Sequence, residues 1–575
     1  MKRFSVLLGA LTLLAFLSFS AKADARKTNT PMPTFTLYAG NAVTAPDDAL
    51  ENMPLDLIRA ESPLGNRDFC LVIPENWNAE NLRIYFDAET LLVNGTEYRS
   101  GDMVSLPLDE VITVAPPVEG AIEMSLTVCQ TGGLPVLWMT SESGNEDYIH
   151  AVKGNSEPGY LRYVETDGSV AYDGKLTQIR GRGNATFDYD KKPYQIKLAK
   201  SASLAGMHKD KTWVLLANFL DRTEIRNTMI LDLARFCDVW SFVPACKSVD
   251  VYLNHDYKGT YLLCEKIEVD SGRLDIRNLE EETEKANPRL DFSTLKPQGE
   301  LGVHQRARKY YDIPLEPEDI TGGYYVRMDY ARRYPSEAGG FITAKGATFI
   351  LQSPKYPTEA QANYIADLFQ DIESALYDKN GISSISGRHF TEIIDLTTMA
   401  YRYVLAEVAD DYDGQRSNYY KDADGKDPMV YVGPVWDQDN TWGVYKPYSY
   451  PTQLHIYSDT DKPYYWFRQV NRHKVFTDAA NEAYREKFLP ALAVFLGEEK
   501  DPTGALRSID EYAAEVRQSA LCDAVRWPYS IMRSMNSRVT RYRDETFDGL
   551  IEYLRNYITK RRPALNRHFG VKESQ

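Results

Sequence analysis

The chain has 575 residues, with 82 acidic against 66 basic side chains and a net charge of −16. A surface this negative repels phosphate backbones, which sets nucleic acid aside as a partner. Hydrophobic residues make up 43%, the ordinary proportion of a globular protein, and the length amounts to about three or four domain-sized units.

The first stretch reads as an export signal. Lys2 and Arg3 precede an almost wholly apolar run over residues 4–19, and Ala21-Lys22-Ala23 places small residues where a signal peptidase reads. Residues 1–23 are therefore expected to be a signal peptide, with the mature chain starting at Asp24. The run is short for a membrane span. No Cys follows it to carry a lipid, and no later segment is apolar for long enough to cross a bilayer. The expectation is a soluble protein that is secreted, periplasmic or held at the cell surface.

Residues 24–34 are polar and read as a linker. Over residues 35–134 short apolar-alternating runs are broken by turns, among them Leu82-Arg83-Ile84-Tyr85-Phe86 and the hairpin signal Asn94-Gly95. Strands at this spacing predict an all-β, Ig-like sandwich over residues 24–134. It carries no catalytic constellation and is expected to fold by itself. The six cysteines lie at 70, 129, 237, 246, 264 and 522. None has zinc-site spacing. In an exported chain they can form disulfides; Cys70 with Cys129 is the favoured pair, and Cys237 with Cys246 or Cys264 the next.

From residue 135 the pattern mixes strands and helices. Strand-like runs include Lys191-Lys192-Pro193-Tyr194-Gln195-Ile196-Lys197-Leu198 and Trp213 to Asn218, with a helical spacing at Ile225, Met229, Leu233 and Phe236. Residues 278–320 are charged, contain prolines and lack a period, as a mobile insertion would. Thr358-Glu359-Ala360-Gln361 is a capping box, followed by one apolar helix face at Tyr364, Ile365, Leu368, Phe369, Ile372 and Leu376. A second helix begins near Asp395. After residue 470 the pattern is mostly helical, and Ile551, Leu554, Tyr557 and Ile558 mark a last helix. The fold class is therefore multidomain, an N-terminal all-β sandwich followed by an α+β domain over 135–480 and a helical part over 481–575.

Chemistry concentrates in residues 407–443. A helix ends near Ala409 in an acid-rich stretch. Asn418 to Lys421 reads as a strand, Asp424-Gly425 as a turn, and Met429 to Trp436 as the returning strand, ending in Asp437-Gln438-Asp439. Antiparallel pairing brings the start of the first strand beside the end of the second, so Asn418 and Asp437 converge, with Asp413 five residues before Asn418. Phosphoryl transfer needs such a set: an Asp to orient the attacking hydroxyl, and an Asn and a second Asp to hold divalent metal. The Asp-x-x-x-x-Asn spacing is that of kinase catalytic loops. By spacing alone, a calcium site or a solvated acidic loop fits as well.

A series of blocks carries the argument further. In order they are Arg182-Gly183-Asn184-Ala185-Thr186, then Lys191 to Lys197, Trp213 to Asn218, Arg226-Asn227, and Tyr252-Leu253-Asn254. Gly259-Thr260-Tyr261-Leu262-Leu263-Cys264-Glu265-Lys266-Ile267 follows, then Gly322-Gly323-Tyr324 before Asp329, Asp413 to Asn418, and Gly433 to Asp439 with Gly443. In these the chain resembles the CotH (spore-coat-protein-H) kinase family over residues 135–480. The resemblance implies a protein-kinase-like fold without the usual Gly-rich loop, and an ATP-dependent phosphotransferase using Mg2+ or Mn2+. It implies Asp413 as the catalytic-loop Asp and Asn418 and Asp437 as metal ligands; Asp411 takes the catalytic slot under a shifted alignment. The acceptors would be Ser or Thr hydroxyls of an exported or surface protein. Lys197, on an alternating strand, and Arg182, between two glycines, are candidate cations for the ATP phosphates. Their ordinary alternatives are a solvated strand lysine and a tight turn. Glu265 is a candidate to position one of these cations, or a plain salt-bridge member. Asp439 binds a second metal or caps the following turn. Other readings stay open: AMP transfer by the same site, a non-catalytic adhesion protein on a kinase-like scaffold, and a calcium-dependent adhesin.

Overall fold

The computed structural model describes residues 35–39, 57–62, 68–411, 413–422, 427–445, 450–454 and 465–572. The expected signal peptide, the linker over 24–34 and the Asp424-Gly425 turn lie outside the described residues. The chain divides into two compact units. One combines Met1–Glu224, Cys246–Cys264 and Ala513–Ser537, and the other Ile225–Ala245, Glu265–Tyr512 and Arg538–Gln575.

The first unit opens with two sheets. Leu57–Arg59, Phe35–Ala39, Leu82–Phe86 and Met103–Val104 form one, in that order; Asp68–Ile73, Met124–Gln130, Val111–Ala115, Thr90–Val93 and Thr96–Arg99 form the other. Alternation decides which faces turn inward: in Leu82–Phe86 the apolar Leu82, Ile84 and Phe86 are buried while Arg83 and Tyr85 are half-buried. Asn94-Gly95 joins Thr90–Val93 to Thr96–Arg99, both residues at positive φ, as a two-residue hairpin turn requires.

The next seven strands close a barrel: Val136–Ser141, Glu157–Val164, Val170–Gly181, Tyr194–Ala202, Asp210–Leu216, Asp256–Glu265 and Cys246–Leu253 in order round it. Val136–Ser141 and Cys246–Leu253 pair in parallel and close it. Sandwich and barrel share one core, in which Leu71, Ile84, Leu126 and Val128 continue into Val136, Trp138 and Tyr252. Trp138 stacks on Trp77 at 5.9 Å and on Tyr252 at 4.3 Å, and the Tyr252 hydroxyl donates to Val72 O at 2.9 Å. The core of residues 35–134 thus continues into the barrel.

All six cysteines are thiols. Asp68–Ile73 and Met124–Gln130 run parallel with Cys70 opposite Thr127 and Cys129 opposite Val72. A two-residue offset on neighbouring strands separates the two Cα atoms by about 8 Å, beyond the ~7 Å reach of a disulfide. The favoured bridge is therefore not formed. The Cys522 thiol hydrogen-bonds Cys129, and that bond together with burial pushes its pKa well up.

The second unit is built on a seven-stranded sheet, ordered Gln298–Gly299, Arg308–Tyr310, Gly339–Ile342, Thr348–Ser353, Tyr324–Asp329, Asn418–Lys421 and Tyr431–Val432. Residues 278–320, expected as a mobile insertion, contribute the helix Leu279–Ala286 and the strands Gln298–Gly299 and Arg308–Tyr310 at the sheet's edge. Strands of two and three residues are too short to have a periodic signature, which is why the pattern misled. The capping box on Glu359–Tyr377 forms as expected. Phe369 from that helix packs with Phe341, Phe349, Tyr419 and Trp466. Helices prevail from Trp466–Val470 to Phe547–His568.

Candidate active site

The acid-rich hairpin lies within the second unit. Asn418–Lys421 pairs with Tyr431–Val432, Tyr419 opposite Val432. Gly433 N donates to Asn418 O at 2.8 Å, and Asn418 Nδ2 donates to Pro434 O at 2.8 Å. The returning strand stops at Val432, shorter than residues 429–436, because Pro434 has no N–H for a ladder. Beyond it the chain turns irregular, and Asp437 stands exposed with φ +63°. Asn418 and Asp439 are buried.

The acids that precede Asn418 have separate tasks. Helix Leu396–Ala409 ends with Asp410 in the left-handed conformation. Arg561, from helix Phe547–His568, pairs with both Asp410, at 3.2 Å, and Glu407, at 3.4 Å. Asp411 is buried: its Oδ2 accepts from Arg402 at 3.0 Å and from Gln438 Nε2 at 3.3 Å, and its Oδ1 from Asp413 N at 2.9 Å. Asp413 differs. Its side chain is 40% exposed and paired with Arg416, whose guanidinium lies over the Tyr330 ring at 3.9 Å and donates to the Tyr465 hydroxyl.

The loop after Trp436 is clamped by residues to which the sequence assigned no role. Asn227 Oδ1 accepts from Gln438 N at 2.7 Å, and Arg226 Nε donates to Thr441 O at 3.1 Å; both stand at the start of helix Arg226–Cys237. Trp442 donates through Nε1 to Val408 O. Gly443 sits at φ +86°, where a Cβ would fall 2.6 Å from Tyr557 and the Tyr553 hydroxyl, so the loop tolerates no side chain there. The adjacency of Arg226 and Asn227 in one block was a signal for this clamp. Arg402 and Arg561 carried none, both being set in otherwise ordinary helices, and Arg561 lies 154 positions from Glu407.

Among the described residues no three His, Cys, Asp or Glu side chains gather as a metal-holding group. The donors present are hard oxygens: the Asp437 and Asp439 carboxylates, the Asn418 amide, and Gln438 Oε1 and Asn440 Oδ1, two buried acceptors with no hydrogen-bond donor on them. That set fits magnesium or manganese, which need one or two carboxylates when a nucleotide's phosphates supply other ligands.

The proposed nucleotide cations lie in the first unit. Lys197 is exposed on Tyr194–Ala202. Arg182 is half-buried in the turn before that strand, its N–H donating to Pro193 O. Gly183 is obligatory there: at φ +98° a Cβ would lie 2.0 Å from Thr186 Oγ1. Lys191, at the start of the same strand-like run, is fully enclosed. It pairs with Asp523 at 2.6 Å and Glu224 at 3.3 Å and donates to Thr260 O at 2.7 Å. Arg222 joins Asp523 at 2.8 Å. Burial pushes the Glu224 carboxyl up, against the pull of Lys191 and Arg222. Glu265, in the second unit, pairs with Arg273 at 3.0 Å and accepts from Ala245 N.

The model of the CotH kinase family, described as CotH kinase protein, matches residues 179–565, about two thirds of the chain. The chain belongs to the CotH kinase family. The CotH match starts inside the barrel and takes in both the Asp413 loop and the C-terminal helices that brace it, extending well past the residues 135–480 over which the motifs run. No curated protein matches the chain. No described helix is long and apolar enough to cross a membrane.

Proposed function

We propose that this CotH family member is an exported protein kinase that transfers the γ-phosphate of ATP, with Mg2+ or Mn2+, to Ser or Thr hydroxyls of a secreted or surface protein. One observation carries the assignment of the base. Glu407, Asp410 and Asp411 are buried and held by Arg561 or Arg402, whereas Asp413 offers a carboxylate that a hydroxyl can approach. Asp413 orients that hydroxyl and accepts its proton as the oxygen attacks. Asn418, Asp437 and Asp439 would hold the metal, which when bound neutralises phosphate charge. In the first unit Arg182 and Lys197 are the proposed phosphate cations, and in the second Glu265 is the proposed positioning carboxylate. The protein-kinase-like fold and the signal peptide are part of the same proposal.

The test incubates purified protein with ATP, divalent metal and an extract of exported proteins, labelling the γ-phosphate in one reaction and the α-phosphate in another. Label from the γ position on Ser or Thr is expected. Label from the α position would instead establish AMP transfer, and label from neither would leave the adhesion reading.

A further inference from the structure

Strands Cys246–Leu253 and Asp256–Glu265 form an antiparallel hairpin in the barrel, and their register sets Cys246 opposite Cys264. At the neighbouring pair, Glu265 N donates to Ala245 O at 3.0 Å. Antiparallel ladders alternate hydrogen-bonded with non-hydrogen-bonded pairs. Ala245 and Glu265 are of the first kind, so Cys246 and Cys264 are of the second. Such pairs hold their Cα atoms about 4.5 Å apart with side chains on one face, inside the ~4.4–6.8 Å range of disulfides. Cys264 is buried, while Cys246 is half-buried and so open to a reagent from solvent.

We propose that Cys246 and Cys264 are a redox modification site, oxidised by a small or protein disulfide to a cross-strand bridge. The Cys246 thiolate attacks one sulfur of the oxidant RSSR, forming the mixed disulfide and releasing RS−. The Cys264 thiolate then attacks the Cys246 sulfur and expels the second RS−. Both leaving thiolates take up the protons that the cysteines lost, so two protein thiols and RSSR become one protein disulfide and two RSH. The bridge fastens the strand ends beside Ala245 and Glu265, where the chain passes out of the first unit on either side of Cys246–Cys264. It would fix the backbone of Glu265, whose carboxylate already accepts from Ala245 N.

The experiment equilibrates the full-length protein with excess oxidised glutathione, alkylates it after unfolding without reductant, and maps the cysteines by mass spectrometry. Trypsin leaves Cys237 and Cys246 in one peptide, so a second cut before Asp238 separates them. The expected product joins the Cys246 and Cys264 peptides with the loss of two hydrogens, reverts with dithiothreitol, and persists in Cys237→Ser. Recovery of both residues alkylated overturns the proposal. So does a lasting glutathione adduct on Cys246 beside alkylated Cys264, since the second exchange would then have failed.

Discussion

Asp411 and Asp413 are two residues apart and chemically identical, yet their surroundings differ: one is buried and the other part-exposed. Asp411 is enclosed by Arg402, Gln438 and the Asp413 N–H. Asp411→Ala leaves Arg402 buried without its partner and should destabilise the fold by about 3–5 kcal/mol, read from denaturant melts. Asp413→Ala should leave the melt nearly unchanged and ATP binding intact while lowering transfer by ~10²–10⁴-fold. Asp437→Ala should weaken metal-dependent ATP binding itself. If Asp413→Ala keeps full transfer, the base is elsewhere. Sequence spacing named Asp413 and Asn418 because the motif is local. It could not separate Asp413 from Asp411, because the distinction rests on Arg402, a helical turn and more upstream, and on Gln438 across the hairpin.

A second residue sets a pH dependence. Asp250 is enclosed in the first unit, and burial pushes its carboxyl up to about 7 against hydrogen bonds from Ser519, Tyr257 and Thr260. Its unfolded value is about 3.9. The folded state therefore binds the proton more tightly, so this contribution to stability is full below pH ~4 and is lost as pH rises through about 7. A shift of that size corresponds to roughly 4 kcal/mol as an upper bound. Urea melts across that window should show a falling stability in the wild type that Asp250→Asn flattens. Equal slopes in the two proteins would show that Asp250 is ionised throughout.

Among the elements, those with local signatures were legible. The capping box starts its helix, Asn94-Gly95 makes its hairpin, and the apolar face around Phe369 packs as spaced. What stayed hidden was tertiary. The helix Ile509–Arg526 looked like generic C-terminal helix, but its Asp523 accepts from Thr260 N at 3.0 Å and binds Lys191 and Arg222. Gly259, at φ +114°, makes room for it, since a Cβ there would meet Asp523 Oδ1 at 2.3 Å. Asp523→Ala leaves buried Arg222 without its carboxylate and Lys191 with Glu224 alone, and should cost about 3–5 kcal/mol, lowering the unfolding midpoint. Asp523→Asn, which keeps the shape and the acceptor for Thr260 N, should cost less. An unchanged midpoint in Asp523→Ala would mean that water replaces the carboxylate.

At the scale of the molecule, alternating patterns revealed an all-β N-terminal part and a helical C-terminal part, but not that the sandwich and the barrel share a core. Periodicity reports which face of a strand is buried and not what buries it. Removing residues up to 134 should uncover Trp138 and Tyr252, which pack on Trp77 and bond to Val72. The shortened protein should bind a hydrophobic dye and aggregate, whereas a cooperative melt matching that of the intact chain would show that the barrel stands alone.

The first unit is assembled from three separated stretches, the last of which is Ala513–Ser537. Of the three, that stretch is the last to be synthesised. Until then Lys191 and Arg222 wait for a carboxylate more than 300 positions away in the case of Arg222, and the nascent barrel cannot reach its final form. Its maturation is governed by loop closure over a very long span, which is slow and leaves intermediates exposed. Synthesis of Ala513–Ser537, and not the emergence of the barrel strands, is then the event that lets the first unit fold to completion.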